Sequence, residues 1–293
     1  MVTIAIIAAG AMGSGVAKVL TRNGVKVLTN LDNRSEATRR RAQEAGMQDA
    51  SFEDISSTCD WVLSILPPSN AFSFAEKFLQ HSTRSTRSPA PVFVECNAVN
   101  PATVHKIAAL FRGSIFSFVD AGIIGGPPLD DYNPTFYASA DEEALLDRIV
   151  GLSEHGLKIS ALKGEARIGA ASALKMSYAG ITKGTTGLFT TMILAAHQSS
   201  PATAEALMHE LHASQPALLK RMSGVIPPMI PKAYRWVGEM SEIAGFVGDG
   251  EGDIYRGLSE LYARIERSEK GDRQDSEVLA KFAKEAKEIL EKK

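Results

Sequence analysis

The chain has 293 residues, of which 44% are hydrophobic and 23% are charged, so it can bury a large core and is expected to form two domains. Its formal net charge of −2 argues against a general binder of nucleic acid or another polyanion, so any phosphate site must be local. The two cysteines, Cys59 and Cys96, lack metal-ligand spacing, which argues against a disulfide framework or a zinc site and fits a reducing compartment.

The apolar segments are too short for a signal peptide or a membrane span. The first, residues 2–9, ends in a glycine loop, and the most hydrophobic later segment, residues 184–196, is rich in Thr and Gly. The sequence therefore predicts a cytoplasmic protein with a small-molecule substrate and with neither a membrane nor a nucleic-acid partner.

Residues 2–9, VTIAIIAA, predict a buried parallel strand, which is followed by a glycine turn and a helix. In this context Gly10 would let a pyrophosphate approach the backbone, Gly13 would let the helix pack close to the strand, and the helix would supply N–H donors. The first glycine of this dinucleotide fingerprint is replaced by Ala8, and a purely structural turn is the alternative. The turn consists of Gly10, Ala11, Met12 and Gly13.

The second predicted strand, residues 25–31, ends in signals for both nicotinamide cofactors. Asp32 suits the ribose hydroxyls of NAD, whereas Arg34 beside a hydroxyl suits the 2′-phosphate of NADP. The triplet Asn33-Arg34-Ser35 matches a phosphate clamp better, so NADP(H) is favoured over NAD(H). At least two side chains of the basic run 39–41 are expected on a solvated helix face rather than in contact with a ligand.

A third buried strand is predicted over residues 60–66, where prolines end it in a loop. Loops at the carboxyl ends of parallel strands line the ligand crevice, which makes Leu66 and Pro67 candidate cofactor contacts. Residues 80–91 predict a surface loop. Asn97 and Asn100 follow the next strand, and each offers an amide to a cofactor or substrate or else caps the following helix.

The next strand is predicted over residues 116–121 and leads into the loop GIIGGPP. Here Gly125 and Gly126 expose backbone N–H groups that can hold a carboxylate, with a plain tight turn as the alternative. Two further strands with a helix between them complete an α/β unit, a Rossmann-type doubly wound parallel sheet. An all-helical domain follows, and the predicted division is 1–165 and 166–293.

The central helix, which begins near Gly169, carries only Lys175 and Lys183 as formal charges. The face of Lys175 also presents Tyr178, Ala179, Thr182 and Thr186. This stripe either lines a cleft or belongs to a buried core helix whose lysine reaches water at one end. Residues 225–231, VIPPMIP, predict an interruption in the later helices.

Four motifs give the chain its resemblance to a known family, and one of them, KMSYAGITKG (175–184), is similar to KMVHNGIEYG of the phosphogluconate enzymes. GAMG (10–13) is similar to the dinucleotide turn of the β-hydroxyacid dehydrogenases, which include 3-hydroxyisobutyrate and 6-phosphogluconate dehydrogenases. DAGIIGG (120–126) is similar to their substrate loop, and GAASALKMSYAG (169–180) to their lysine motif. The resemblance covers residues 2–185 and implies that Lys175 is the catalytic lysine.

The departures from the family pattern restrict the substrate. Ile124 stands in place of a substrate-binding serine, Tyr178 in place of a histidine and Ala179 in place of an asparagine. Thr182 replaces the acidic residue of the phosphogluconate enzymes. The resemblance therefore implies a more apolar or aromatic β-hydroxy acid rather than phosphogluconate.

The implied activity is NADP(H)-dependent interconversion of a β-hydroxy acid and its carbonyl, with Lys175 as general acid and base. The uncharged stretch 168–182 lowers the cost of the neutral amine, as a general base requires. Imine reduction on the same scaffold and a non-catalytic NADP(H) sensor are the alternatives. The mostly uncharged helix 176–196 needs covering, which predicts a homodimer.

Overall fold

A computed structural model describes residues 2–82 and 88–292 of the chain. The chain divides into two compact units, Met1–Met176 and Ser177–Lys293, and the division falls inside one long helix. The first turns of that helix belong to the first unit, which ends at Met176. The domain boundary at residue 165 stays a prediction.

A single sheet of eight strands, within the described residues, forms the middle of the first unit. The strands are Thr3–Ile7 (β1), Lys26–Thr29 (β2), Gln48–Asp49 (β3), Trp61–Ser64 (β4), Val92–Glu95 (β5), Ser117–Ile124 (β6), Thr135–Ser139 (β7) and Lys158–Ala161 (β8). Their order is β3-β2-β1-β4-β5-β6-β7-β8, and the pairs are parallel except β6 with β7. The first six strands have the order of a dinucleotide-binding doubly wound sheet, which confirms the predicted fold class.

Helices cover both faces of this sheet. They are Ala11–Arg22 (α1), Glu36–Glu44 (α2), Phe52–Thr58 (α3), Ala71–Gln80 (α4), Pro101–Leu110 (α5) and Glu143–Val150 (α6), with 3₁₀ turns at Pro68–Asn70 and Gly151–His155. One apolar core includes Val16, Leu20 and Leu146 on one face of the sheet, and the other includes Phe74, Phe78 and Ile107 on the opposite face. The alternation of strand and helix thus buries the strands on both sides, as their continuous apolar runs predict.

The second unit is helical. It contains most of α7 (Ala170–Ser199), followed by Pro201–Ser214 (α8), Pro216–Met229 (α9), Ala233–Val247 (α10), Gly252–Lys270 (α11) and Gln274–Glu291 (α12). In the described part of the chain, no helix combines the length and the apolarity needed to cross a membrane.

Two elements differ from their predicted bounds, and one predicted loop lies partly outside the described residues. The predicted interruption at residues 225–231 is wrong at its start, because α9 runs through Pro227 and Pro228 and gives way only at the 3₁₀ turn Ile230–Lys232. The proline φ fits a helix, so the helix loses hydrogen bonds without having to end. The strand expected to stop at residue 121 continues to Ile124 because it pairs with β7. Part of the surface loop predicted at 80–91, residues 83–87, lies outside the described residues.

Candidate active site

The glycine turn joins the end of β1 to the start of α1. A Cβ at Gly13 would overlap the carbonyl oxygen of Ala8, so only glycine allows the helix to pack this closely. At Gly10, which caps α1, the space where a Cβ would lie is open: apart from the adjoining residues, no described heavy atom lies within 4 Å. The first turn of α1 contains no acidic residue, and in the described chain no side chain caps it. This open helix start, whose first residues are Ala11 and Met12, fits the pyrophosphate of a dinucleotide.

The predicted phosphate clamp lies between β2 and α2. Asn33 has a left-handed backbone with φ of 56°, Arg34 is half-buried, and Ser35 caps α2 by accepting a hydrogen bond from the Thr38 N–H. The competing acidic residue, Asp32, accepts a hydrogen bond from Asn30 Nδ2 at 3.0 Å. The cap fixes the start of α2, so the side chains of the triplet are held at the carboxyl end of β2.

Two of the three arginines in the basic run are tied to strand ends. Arg39 Nη2 donates to the Leu31 carbonyl at 2.6 Å, and Arg41 Nε donates to the Ala9 carbonyl at 3.1 Å. Both side chains remain exposed on the helix face, and each also donates to a backbone carbonyl. Their guanidinium groups add positive charge beside Gly10 and the triplet, which suits a phosphate group.

Asn97 links the carboxyl ends of two neighbouring strands. Its Oδ1 accepts a hydrogen bond from the Leu66 N–H, and its Nδ2 donates to Ser64 Oγ at 2.8 Å. These contacts fix the loop of Leu66 and Pro67 at the edge of the sheet to which the glycine turn also belongs. Asn100 instead caps α5, because its Oδ1 accepts a hydrogen bond from the Thr103 N–H at 2.9 Å.

Asp120, on β6, is fully buried and holds the start of α7. Its carboxylate accepts four hydrogen bonds, from the N–H groups of Gly169 and Ser172 and from the hydroxyls of Ser139 and Ser172. Burial raises the pKa of Asp120, and these hydrogen bonds act in the opposite direction. A carboxylate at a helix N-terminus also complements the helix dipole, so Asp120 fixes the position from which α7 continues to Lys175.

Lys175 reaches the carboxyl end of β5. A Cβ at Gly122 would lie 2.8 Å from the Ala171 carbonyl oxygen and 3.1 Å from the Lys175 Cβ, so glycine allows α7 to pass close to β6. The half-buried Lys175 Nζ donates a hydrogen bond to the Cys96 carbonyl at 3.4 Å. The amine therefore lies at the same edge of the parallel sheet as the glycine turn.

Sequence analysis missed the charges around this amine. Glu95 is 1% exposed, and burial raises its pKa to about 8. The Asp120 carboxylate also raises the pKa of Glu95, while hydrogen bonds from Asn97 and the Lys175 ammonium lower it. Burial raises the pKa of the Cys96 thiol as well. The uncharged stretch 168–182 is confined to α7, and the neighbouring strands β5 and β6 each carry a buried carboxyl group.

The predicted substrate loop lies against the first turns of α1. A Cβ at Gly15 would lie 2.8 Å from the Pro128 Cδ. Ile124 ends β6 opposite Thr135, and Gly125, with φ of 128°, leaves no room for a side chain beneath the Tyr132 hydroxyl. Gly125 and Gly126 are both exposed, so their backbone groups are accessible near the glycine turn.

The remaining predicted residues lie on α7 in the second unit. Tyr178 is 51% exposed, whereas Ala179 is 7% exposed. The Thr182 hydroxyl donates to the Tyr178 carbonyl at 2.8 Å, and the Thr186 hydroxyl donates to the Thr182 carbonyl at 2.9 Å. The hydroxyl hydrogens of this stripe are therefore engaged within the helix, which leaves the oxygens as acceptors.

The sequence contained a signal for both missed carboxyl groups. Glu95 interrupts the apolar run PVFVEC, and Asp120 interrupts FSFVDAG. A charged residue inside a buried strand requires a partner, and this requirement points to a polar site where the strand ends.

Both parts of the chain resemble known protein families. Residues 3–153 match the family described as the NAD binding domain of 6-phosphogluconate dehydrogenase, and residues 199–265 match a domain of unknown function, DUF1932. No curated protein matches the sequence. These matches confirm the resemblance that the motifs predicted.

Solved structures share the fold at low sequence identity. Conserved protein MTH1747, of unknown function and described as similar to 3-hydroxyacid dehydrogenases, is 24% identical with a TM-score of 0.67, covering 90% of this chain and 96% of that one. The Mycobacterium tuberculosis 3-hydroxyisobutyrate dehydrogenase, solved with L-serine, is 16% identical with a TM-score of 0.66. The match covers 96% of this chain and 99% of that one. An imine reductase from Myxococcus stipitatus, solved with NADP+, is 18% identical with a TM-score of 0.56, also covering 96% and 99%.

Proposed function

The chain belongs to the oxidoreductase family that carries the NAD-binding domain of 6-phosphogluconate dehydrogenase, and we propose that it interconverts a β-hydroxy acid, or a related secondary alcohol, and its carbonyl with NADP(H). The observation that carries the proposal is the Lys175 amine, held by the Cys96 carbonyl at the sheet edge where the glycine turn lies. Bound NADP(H) supplies the hydride donor and acceptor.

Lys175 performs the proton transfer in this proposal. In reduction its ammonium donates a proton to the forming alkoxide, and in oxidation its neutral amine accepts the hydroxyl proton. The Cys96 carbonyl orients the amine, and Asp120 fixes the helix that carries it. These contacts support a group held in place for catalysis rather than a flexible surface lysine.

The substrate carboxylate is assigned to the backbone N–H groups of Gly125 and Gly126, which are exposed beside α1. Ile124 gives this end of the site an apolar character. We include Tyr178, Ala179 and Thr182 as further substrate residues because they follow Lys175 on one face of α7. An apolar or aromatic β-hydroxy acid suits this set better than a polyol phosphate.

A substrate panel tests the activity. We expect turnover of 3-hydroxy acids with NADP+, measured as NADPH absorbance. Imine reduction is the second candidate, favoured by the half-exposed Tyr178, whose phenol can donate a proton from α7. Turnover of cyclic imines with NADPH but not of hydroxy acids would select it, whereas tight NADPH binding without either turnover would select a sensor.

The preference for NADP(H) is assigned to Asn33, Arg34 and Ser35, with the exposed guanidinium groups of Arg39 and Arg41 beside them. Leu66, Pro67 and Asn97 are assigned to the cofactor from the loops that follow β4 and β5. The acidic residue that precedes the triplet, Asp32, is engaged by Asn30, and Glu36 follows the triplet in the first turn of α2. Positive charge therefore predominates where a 2′-phosphate would bind.

Replacing Arg34 with leucine is expected to weaken NADPH binding at least about tenfold, because a hydrogen bond to a charged group contributes about 1.5–3 kcal/mol. Binding of NADH, which lacks the 2′-phosphate, should change little. Fluorescence titration with both cofactors measures the two dissociation constants.

Arg40→Leu is the matched control, since Arg40 is an exposed neighbour on α2. Equal loss of NADPH and NADH affinity in Arg34→Leu would contradict the assignment of the phosphate clamp.

We also propose that the protein is a homodimer. An apolar stripe with spacings of three, seven and four residues, which follow a heptad repeat, lies exposed along α7 within the second unit. It contains Tyr178 (51% exposed), Ile181 (68%), Leu188 (55%) and Met192 (59%). Because this spacing is the one used by pairing helices, a second copy of the stripe is the occupant that fits it.

Leu188→Glu is expected to convert the dimer into a monomer, because it places a charge at the centre of the apolar stripe. Light scattering after size exclusion measures the mass. Gln198→Glu, an exposed change near the end of the same helix, is the control and should leave the mass unchanged. A Leu188→Glu protein with the mass of the unmodified protein would exclude this surface as the interface.

A further inference from the structure

The carboxyl group of Glu95 is buried next to the Lys175 region, and the function proposed above does not use it. Glu95 Oε1 accepts a hydrogen bond from the Asn97 N–H at 2.8 Å. Glu95 Oε2 is buried, and no hydrogen-bond partner for it exists among residues 2–82 and 88–292. An ionised carboxylate in this state needs a counter-charge, because burial removes the stabilisation that water would give.

The titratable groups that face Glu95 come from three elements. Asp120 lies opposite it on β6, Cys96 follows it on β5, and Lys175 approaches from α7. Asp120 is committed to the start of α7 by its four hydrogen bonds. Burial keeps the Cys96 thiol protonated by raising its pKa. Within the described cluster, Lys175 is therefore the cation that can balance a charge on Glu95.

The peptide group between Cys96 and Asn97 connects the carboxyl group to the amine. Its carbonyl oxygen accepts the hydrogen bond from Lys175 Nζ, and its N–H donates to Glu95 Oε1. The peptide dipole is oriented so that its carbonyl oxygen stabilises an ammonium at Lys175 and its N–H stabilises a carboxylate at Glu95.

We propose that Glu95 is a positioning residue that keeps Lys175 protonated, so that the site favours reduction, the direction in which the ammonium is the proton donor. This inference rests on the acid–base role proposed for Lys175. In reduction, the hydride adds to the carbonyl carbon, one ammonium proton passes to the oxygen, and the resulting amine regains a proton from water. At and above about pH 8, where Glu95 ionises, its carboxylate stabilises the regenerated ammonium.

Glu95→Gln tests the proposal because it removes the charge and keeps an oxygen that can accept from Asn97. Competitive acetylation of the protein without cofactor, followed by mass spectrometry over a pH series, gives the pH at which half of Lys175 reacts. This midpoint is expected to fall by about one pH unit, the lower end of the effect of an opposite charge nearby. The exposed Lys106 is the internal reference and should not change.

Glu95→Asp, which keeps the charge, should return the Lys175 midpoint towards that of the unmodified protein. A general loss of packing would instead shift the Lys175 midpoint alike in both variants. An unmoved midpoint in Glu95→Gln would overturn the proposal, and so would equal shifts in Glu95→Gln and Glu95→Asp.

Thermal unfolding supplies a second measurement. The pKa of Glu95 is raised from 4.5 to about 8 in the folded protein, so its contribution to stability is fully present below pH 4.5 and is lost as pH rises through 8. The melting temperature of the unmodified protein should therefore fall relative to that of Glu95→Gln over this range. The difference should stop growing above pH 8, and a difference that continued to grow there would show that Glu95 stays protonated in the folded protein and would contradict the proposal.

The proposal and the proposed function can fail separately. A moved Lys175 midpoint without turnover of hydroxy acids or imines would support the pairing and contradict the enzyme assignment. Turnover that depends on Lys175, with a midpoint unaffected by Glu95→Gln, would support the enzyme assignment and overturn the pairing.

Discussion

Lys175→Met is expected to lower kcat in both directions by about 10² to 10⁴, the usual contribution of a general acid or base. Methionine keeps the length of the side chain and its helix propensity, so α7 should retain its structure. NADPH affinity should stay close to that of the unmodified protein, because the proposed cofactor contacts lie on the loops after β1, β2, β4 and β5. Initial rates, with cofactor titration on the same samples, measure the two effects separately.

The matched control is Lys106→Met, the same change on the exposed surface of α5. A small primary amine added to the medium should partly restore turnover of Lys175→Met, since it can supply the missing proton acceptor. Full activity of Lys175→Met would exclude Lys175 as the acid–base group and would favour a proton donor elsewhere on α7, such as Tyr178.

The sequence predicts best those parts of the fold whose residues are close together in the chain. The run 2–9, the glycine turn and the following helix are adjacent in the chain, and their order alone indicates a doubly wound sheet. The capping contacts of Ser35 and Asn100 are also local, with partners three residues away. Such features can be predicted because the interaction partners lie within one turn of backbone.

The surroundings of Lys175 could not be predicted in this way. Its bond to the Cys96 carbonyl joins positions 79 residues apart, and the Asp120 contacts to Ser172 span 52 residues. Periodicity assigned Lys175 to an uncharged helix but could not show which strands lie beneath it. Gly122 allows that close approach, and its role becomes apparent only when β6 and α7 are seen together.

Asp120→Ala is expected to lower the free energy of unfolding by about 3–5 kcal/mol, because it leaves buried donors without an acceptor. The affected groups are two backbone N–H groups, at Gly169 and Ser172, and the hydroxyls of Ser139 and Ser172. Urea unfolding followed by circular dichroism measures the loss.

Asp120→Asn should be milder, because its oxygen can accept the three bonds made to Asp120 Oδ2 while its amide donates to Ser172 Oγ. The neutral amide also avoids the burial cost that raises the pKa of Asp120. Equal losses in the alanine and asparagine variants would show that the negative charge, rather than the hydrogen-bond acceptors, stabilises the start of α7. Equal stability of Asp120→Ala and the unmodified protein would mean that the helix start is held by packing alone, and the position of Lys175 would then not depend on Asp120.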